Sequence, residues 1–468
     1  MKEILNELID SYQEDILRDL ERLVRIPSVL DVSTKSENAP FGKDVRQVLD
    51  EVIKISETLG FVVKDYDGYA ASVKLGNDGK EVGVLCHADV VPAVGKWDTN
   101  PFEAIVKNAK IYGRGTVDDK GPLVAVLYAM KAIKESNLPM NGHITHIIGC
   151  NEETGHECIK YCLTKEKCPD CGFSPDGLFP VIHGEKGILR YSIQTRIIQN
   201  EDEVLKIDKI MGGNVVNAVP DLAKVWMSGE KSALDDTEKF MATFELENET
   251  NKIRLDDTHL LLEFHGVSSH AMQPWLGKNA NISMLKFLKK LKNLNEDMKR
   301  FVDAIYQLFG DGWQGENMGI ACKDELSGDL SQNLGILNFT NNEAELKVDV
   351  RCPIHVDLRV VWKTISINCQ KYGFYPEFWQ MRDPLYIPKE APLVEKLLKV
   401  YKEMTGNEVE AVTIGGGTYC RDVENFVSFG PVFPYEKELA HEANECIGIK
   451  ELMLSAKLYA QALYSLVC

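Results

Sequence analysis

Two adjacent carboxylates, Glu152 and Glu153, close the run HIIGCNEETG. An apolar stretch of this length reads as a buried strand. Like charges side by side at its end call for something of opposite sign nearby. Other chemistry-bearing residues occupy comparable places. In LCHADVVP, His87 and Asp89 lie two apart after an apolar run and would share one face of a strand. Asp89 can orient the imidazole only if the chain turns after His87; a solvated turn is the alternative. GRGTVDDKGP carries Asp118 and Asp119 on a glycine-rich turn before a helix, where capping is the plainer role. That turn lacks both the dinucleotide fingerprint and a Gly-Lys-Ser/Thr, and its acids would repel phosphate. SPDGLFPV holds Asp176 in an Asp-Gly pair that by itself forms a turn. Far along the chain, LAHEANE supplies His441, with Glu442 and Glu445 beside it.

Together, His87, Asp119, Glu153, Asp176 and His441 offer two imidazoles and three carboxylates, each at the end of an element. That inventory suits two divalent ions sharing one carboxylate, each also receiving one histidine and one acid. Mixed nitrogen and oxygen ligation with open positions belongs to hydrolytic rather than structural zinc sites. Zinc is the first expectation, and manganese or cobalt would accept the same ligands.

The elements that must position these residues alternate in the first 185 or so positions. Val45, Val48, Leu49, Val52, Ile53 and Leu59 keep a helical period that stops at Gly60. EVGVLCHADVV reads as an inner strand, GPLVAVLYAMKAIKES as a helix and HITHIIGC as the next strand. From about Tyr191 the pattern changes. NKIRLDDTHLLLEFHG and GILNFTNNEAELKVDVRCP alternate as strands, the second folded back at Asn341-Asn342. In the latter, Glu345, Lys347, Asp349 and Arg351 share a polar face, and 281–309 reads as one long helix. After RDPLYIPKEAP the earlier style returns. The expected fold class is α/β: a doubly wound mixed-sheet domain interrupted by an inserted α+β domain, which a family resemblance makes a catalytic domain and a lid domain. Its parts are 1–186 (first part), 187–384 (insertion, of two similar halves) and 385–468 (second part). Acids and histidines at strand ends then fall where open α/β sheets bind ligands.

Bulk composition narrows the partners. With 53 Lys and Arg against 71 Asp and Glu, the formal charge is −18, which argues against nucleic acid and anionic membrane. No apolar stretch approaches the roughly 18 residues of a membrane span. The N-terminal segment mixes acids with apolar residues at helical spacing and has no signal-peptide core. Twelve cysteines without a leader read as free thiols, and the CPDC of Cys168 and Cys171 has no second CxxC to make a zinc site. The expected location is cytoplasmic.

At this point the sequence resembles a known family. HADVVPxxxxW, GRGTxDDKGP, NEETG, SPDG and AHxxNE, in that order, are similar to motifs of the co-catalytic metallopeptidases that include carboxypeptidase G, aminoacylase and carnosinase. HGVSSHAMQP, GGGTYCR and FGPVFP resemble PepV-type dipeptidases over nearly the whole chain. The resemblance implies that His87 and Asp176 bind one metal, Glu153 and His441 the other, and that Asp119 bridges them. It implies a cis peptide bond at Asp119-Lys120. Asp89 would orient His87, and Glu152 would be the general base. His270, in the lid, would reach the oxyanion. Arg351, with Asn217, would hold the substrate's C-terminal carboxylate, and Thr418 would contact substrate from the glycine-rich loop.

The implied activity is metal-dependent hydrolysis of small peptides with free termini. A water bridging the ions attacks the carbonyl, and Glu152 carries its proton to the departing amine. An enlarged lid would stand in for a second subunit, so a monomer is expected. The rival activity is an N-acyl amino acid deacylase or desuccinylase; a metal-binding protein without catalysis is a further alternative, against which Glu152 speaks.

Overall fold

The run Lys80–His87 is a strand whose last six residues are buried, because it is paired on both sides. It runs parallel to Gly142–Gly149, with His87 opposite Gly149, and parallel to Cys171–Ser174. The computed structural model to which these strands belong describes residues 2–199, 203–244 and 250–468. The chain divides into two units: Met1–Gly184 with Tyr386–Thr413 and Gly417–Cys468, and Glu185–Leu385 with Ile414–Gly416.

In the first unit a nine-stranded sheet runs Val62–Tyr66, Ala70–Leu75, Gly142–Gly149, Lys80–His87, Cys171–Ser174, Phe426–Ser428 and Ile182–Glu185, the last of these pairing also with the short strands Leu385–Tyr386 and Val412–Ile414. It is a mixed sheet: the first two strands pair antiparallel, and those from Gly142–Gly149 to Phe426–Ser428 are mutually parallel. Parallel strands buried on both faces need continuous apolar runs, which is what these segments contain. Helix Lys120–Ser136 is buried over most of its length and packs against the C-terminal helix Ile449–Val467. Its first turn lies so close to the preceding loop that a Cβ on Gly121 would stand 2.1 Å from the Thr116 carbonyl oxygen.

The second unit carries one eight-stranded sheet, in the order Thr250–Arg254, His259–His265, Leu222–Gly229, Leu205–Gly212, Ser331–Thr340, Glu343–Cys352, Gly187–Arg196 and Glu377–Arg382. Every neighbouring pair is antiparallel. The hairpin between Ser331–Thr340 and Glu343–Cys352 turns at Asn341 and Asn342, both at positive φ (53° and 64°). Asparagine tolerates that conformation, and such a two-residue turn matches the twist of its strands.

Two sequence expectations change here. The helix expected over 281–309 is two helices, Ala280–Lys290 and Glu296–Phe309. Asn293 takes a positive φ of 67°, and the Asn295 side chain accepts from the amides of Asp297 and Met298, starting a new helix where the periodicity alone reads through. Residues Ile414–Gly416, read as part of the catalytic domain, belong with the second unit.

Within the first unit His146 is fully buried in Gly142–Gly149, and neither ring nitrogen has a hydrogen-bond partner. Burial pushes its pKa down to about 3. An unfolded histidine takes up its proton near pH 6.5. Between those values the unfolded chain binds the extra proton, so this residue erodes stability as pH falls. Urea unfolding of His146→Leu should show a smaller loss of stability from about pH 7 to about pH 5 than the unchanged chain. Equal losses would remove His146 as a source of acid sensitivity.

Candidate metal centre

The parallel strands deliver their chemistry at one edge. His87 ends Lys80–His87, the pair Glu152 and Glu153 follows Gly142–Gly149, and Asp176 lies two residues beyond Cys171–Ser174. Asp118 comes from the turn before helix Lys120–Ser136, and His441 from a loop that ends at the short strand Cys446–Gly448.

These residues converge. Asp118 presents one carboxylate oxygen to each histidine: Oδ1 lies 2.9 Å from His87 Nε2 and Oδ2 lies 2.9 Å from His441 Nε2. Asp176 Oδ2 is 3.8 Å from His87 Nε2, and Glu153 Oε2 is 3.0 Å from His441 Nε2. Among the described residues two groups have ligand atoms all within 4.8 Å of one another: His87, Asp118 and Glu153, and His87, Glu152 and Asp176.

Asp119 is in neither group. Its Oδ2 accepts from the His87 amide at 3.1 Å, and its Oδ1 is buried without a partner. Adjacent aspartates on a reversing turn point apart, and Asp118 is the one aimed between the imidazoles. The cis peptide bond likewise joins Asp118 to Asp119, one position before the place expected. Burial, reinforced by the Asp118 charge, pushes the Asp119 carboxyl well above the usual range.

The residues present fit divalent cations. His87 Nε2 and Asp118 Oδ1 are close, yet neither makes a hydrogen bond of acceptable geometry, and Glu153 Oε1 is a further buried atom with no partner. Buried ligand atoms left without partners are what a cation would satisfy. Burial, with the Asp118 charge, pushes Glu153 up to about 7. Burial opposes charge on His441, but Glu153 and Asp118 outweigh it and hold its pKa far above the usual histidine value. A buried group of carboxylates meeting two imidazoles is the electrostatic setting that a pair of cations relieves.

Asp89 acts in two ways. Its main-chain carbonyl faces His87 Nδ1 at 2.9 Å, with its carboxylate farther off at 3.6 Å. That carboxylate accepts from the amides of Glu152 (3.1 Å) and Glu153 (3.2 Å), fixing the backbone from which both side chains diverge.

Glu445, a neighbour of His441 that carried no role at sequence level, organises the other side. Fully buried, it accepts from Arg114 Nη1 at 2.5 Å and from the amides of Gly115, Val117 and Asp118. Arg114 Nη2 also reaches the His441 carbonyl at 3.2 Å. One carboxylate thus ties the Asp118 turn to the His441 loop. AHEANE displays this acid, but its contacts lie more than 300 residues back and no spacing announces them.

The remaining candidates divide between the units. Thr418, in the first, accepts from the Cys420 amide and shares a 3.2 Å hydrogen bond with Ser428, so its hydroxyl has a local role. Asn217, His270 and Arg351 are in the second. Asn217 and His270 lie on adjoining segments: Ala218 bridges His270, and the Ala271 amide donates to the Asn217 carbonyl at 2.8 Å. Arg351, on the polar face of its strand, is buried with Asp349, which also receives Arg190. Arg351 Nη1 also donates to the Gly415 carbonyl at 2.8 Å.

The family model for peptidase family M20/M25/M40 matches residues 83–465. The chain belongs to that family. It is therefore a metal-dependent enzyme hydrolysing peptide bonds. It is 35% identical over 459 residues to putative dipeptidase YtjP of Bacillus subtilis, covering 97% of each chain. It is also 35% identical over 463 residues to putative dipeptidase MW1694 of Staphylococcus aureus, covering 98% of each. Human carnosine dipeptidase 1 shares the fold, with a TM-score of 0.61 at 15% identity over 100% of this chain and 98% of that one. Aminoacylhistidine dipeptidase from Vibrio alginolyticus does too, with a TM-score of 0.55 at 14% identity over 97% and 96%. Among the described residues, no helix is long and apolar enough to cross a membrane.

If Glu445 holds the Asp118 turn in place, Glu445→Gln should weaken metal binding about 10- to 100-fold while the fold survives. Zinc competition against a chromophoric chelator measures this, and unchanged affinity would assign Glu445 to packing alone.

Proposed function

We propose that this peptidase is a dipeptidase working through two divalent ions, zinc first among them. His87 and Asp176 would hold one ion and Glu153 and His441 the other, with Asp118, in place of Asp119, as the ligand common to both. The approach of one Asp118 oxygen to each histidine, 2.9 Å in both cases, carries this reading. Such ions supply Lewis-acid polarisation of the scissile carbonyl and a water of lowered pKa.

Glu152 is the general base. Its neighbour Glu153 points to His441, whereas Glu152 has its own environment beside His156. Burial works against charge on Glu152, but His156 outweighs it and holds the carboxyl below its usual range, so that it stays ionised. The same oxygen pair then returns the proton it accepts as base to the departing amine. Arg351, Asn217 and His270 are our assignments for substrate recognition, with His270 donating to the oxyanion. Arg351 and Arg190 share the single carboxylate of Asp349, which leaves positive charge over for a substrate carboxylate. Thr418, whose hydroxyl also shares a hydrogen bond with Ser428, is our assignment for a substrate contact from the glycine-rich loop.

The dipeptide preference is supported by similarity to the two bacterial relatives named as putative dipeptidases. A deacylase or desuccinylase is the competing activity. The proposed compartment is the cytosol, supported by twelve free thiols, and the proposed state is a monomer, on the size of the second unit.

Glu152→Gln should keep its metal and lose about three orders of magnitude or more in kcat, in line with loss of a general base; retained turnover would strike Glu152 from that role. Asp118→Asn should lower the metal content of the dialysed protein much more than Asp119→Asn does. The reverse order would restore Asp119 as the shared ligand. Across a substrate panel, kcat/KM should fall in the order Ala-Ala, Ala-Ala-Ala, N-acetyl-alanine, and a leading N-acyl substrate would favour the deacylase.

A further inference from the structure

Glu152 has three rotatable bonds and stands among cation-seeking groups. One of its oxygens lies within 4.8 Å of ligand atoms of both His87 and Asp176. At that distance a modest swing would make it one more ligand, with its lone pairs no longer available for a proton. Something must hold it back.

The structure contains a device that does so. His156 is buried, and its Nε2 lies 3.1 Å from Glu152 Oε1. At the other end of the ring, Nδ1 forms a close contact with Asp422 Oδ2, a residue 266 positions away in the sequence. A carboxylate at each nitrogen leaves the imidazole no freedom to turn. The Tyr419 ring packs against it edge to face, with centroids 4.9 Å apart and planes at 72°. The Tyr419 hydroxyl is in turn 2.8 Å from Cys158 Sγ. Its place exists because residue 149 is glycine: a Cβ there would stand 2.2 Å from that hydroxyl. The main chain is tied as well, the His156 amide donating to the Asn151 carbonyl at 2.7 Å and the Glu157 amide to Asn151 Oδ1 at 3.0 Å.

We propose that His156, backed by Asp422, is a positioning residue that clamps Glu152 through one oxygen and keeps it a base instead of a metal ligand. This rests on the dipeptidase reading above. A carboxylate held at Oε1 can receive the proton at Oε2, and its reach towards the metals is set by the clamp. Asp89 fixes the Glu152 backbone and His156 fixes its tip, so the base is held at both ends. Misplacing a reacting group by about 1 Å can cost about 100-fold in rate.

The test uses the full-length, metal-loaded chain with Ala-Ala as substrate. His156→Leu should lower kcat about 100-fold, leave KM within about threefold and keep its metal content. His156→Gln, which retains an N–H donor, should recover at least about tenfold of that loss, and Asp422→Asn should fall between. In the cobalt-loaded protein, His156→Leu should shift the visible absorption band as Glu152 enters the coordination sphere. The shift should vanish when Glu152→Gln is added. A kcat unchanged in His156→Leu, a Gln variant no better than Leu, or a cobalt band that stays put would overturn the clamp. Should the Leu variant not fold, the kcat values of His156→Gln and Asp422→Asn decide: wild-type kcat in Asp422→Asn overturns the proposal, and a loss at constant KM upholds it. If the unchanged chain binds metal and cleaves no peptide, the dipeptidase reading fails and the clamp with it, an outcome told apart by the wild-type control.

Discussion

One carboxylate with an imidazole at each oxygen governs this molecule. Asp118 can occupy that position only if the ends of several strands, a turn and a distant loop meet within a few ångströms. Gathering buried acids there is unfavourable unless cations offset them, because removal from water penalises each charge and the acids also repel one another. The parallel strands are the natural solution, since they bring the ends of Lys80–His87, Gly142–Gly149 and Cys171–Ser174 to one edge.

The same supporting device occurs twice around that edge. Asp89 accepts from two successive amides, those of Glu152 and Glu153, and Glu445 accepts from amides on the turn leading to Asp118. A buried carboxylate that gathers main-chain N–H groups satisfies itself without water and holds the backbone at a chosen angle. The side chains of Glu152, Glu153 and Asp118 therefore diverge from backbone that is already fixed. Arg114 completes the arrangement by balancing the Glu445 charge; removing one partner of such a buried pair typically costs about 3 to 5 kcal/mol. His156 extends the principle from backbone to side chain.

In the second unit a comparable logic sits on antiparallel strands. Asp349 and Arg351 lie on the face that alternation marks as polar, and that face is solvated only part of the way along Glu343–Cys352. Towards its end the polar residues are buried and bond to one another, Asp349 holding two guanidinium groups at once. Burial resists the Asp349 charge, yet the two arginines keep its carboxyl below the usual range. Alternation reveals which residues share a face. It does not reveal what covers that face.

The sequence by itself determined the α/β alternation, the hairpin at Asn341-Asn342 and which acids and histidines stand at element ends, because apolar periodicity, turn chemistry and residue type are local properties. His87, Glu153, Asp176 and His441 are legible as chemistry at the ends of elements. Tertiary structure alone put Asp118 and not Asp119 between the two imidazoles, since identical neighbours differ only in the direction the turn sends them. It alone joined Glu445 to the Asp118 turn and Asp422 to His156, across separations of 327 and 266 residues. Hydrogen bonds of that span depend on where the strands place their loops, and no local spacing encodes that.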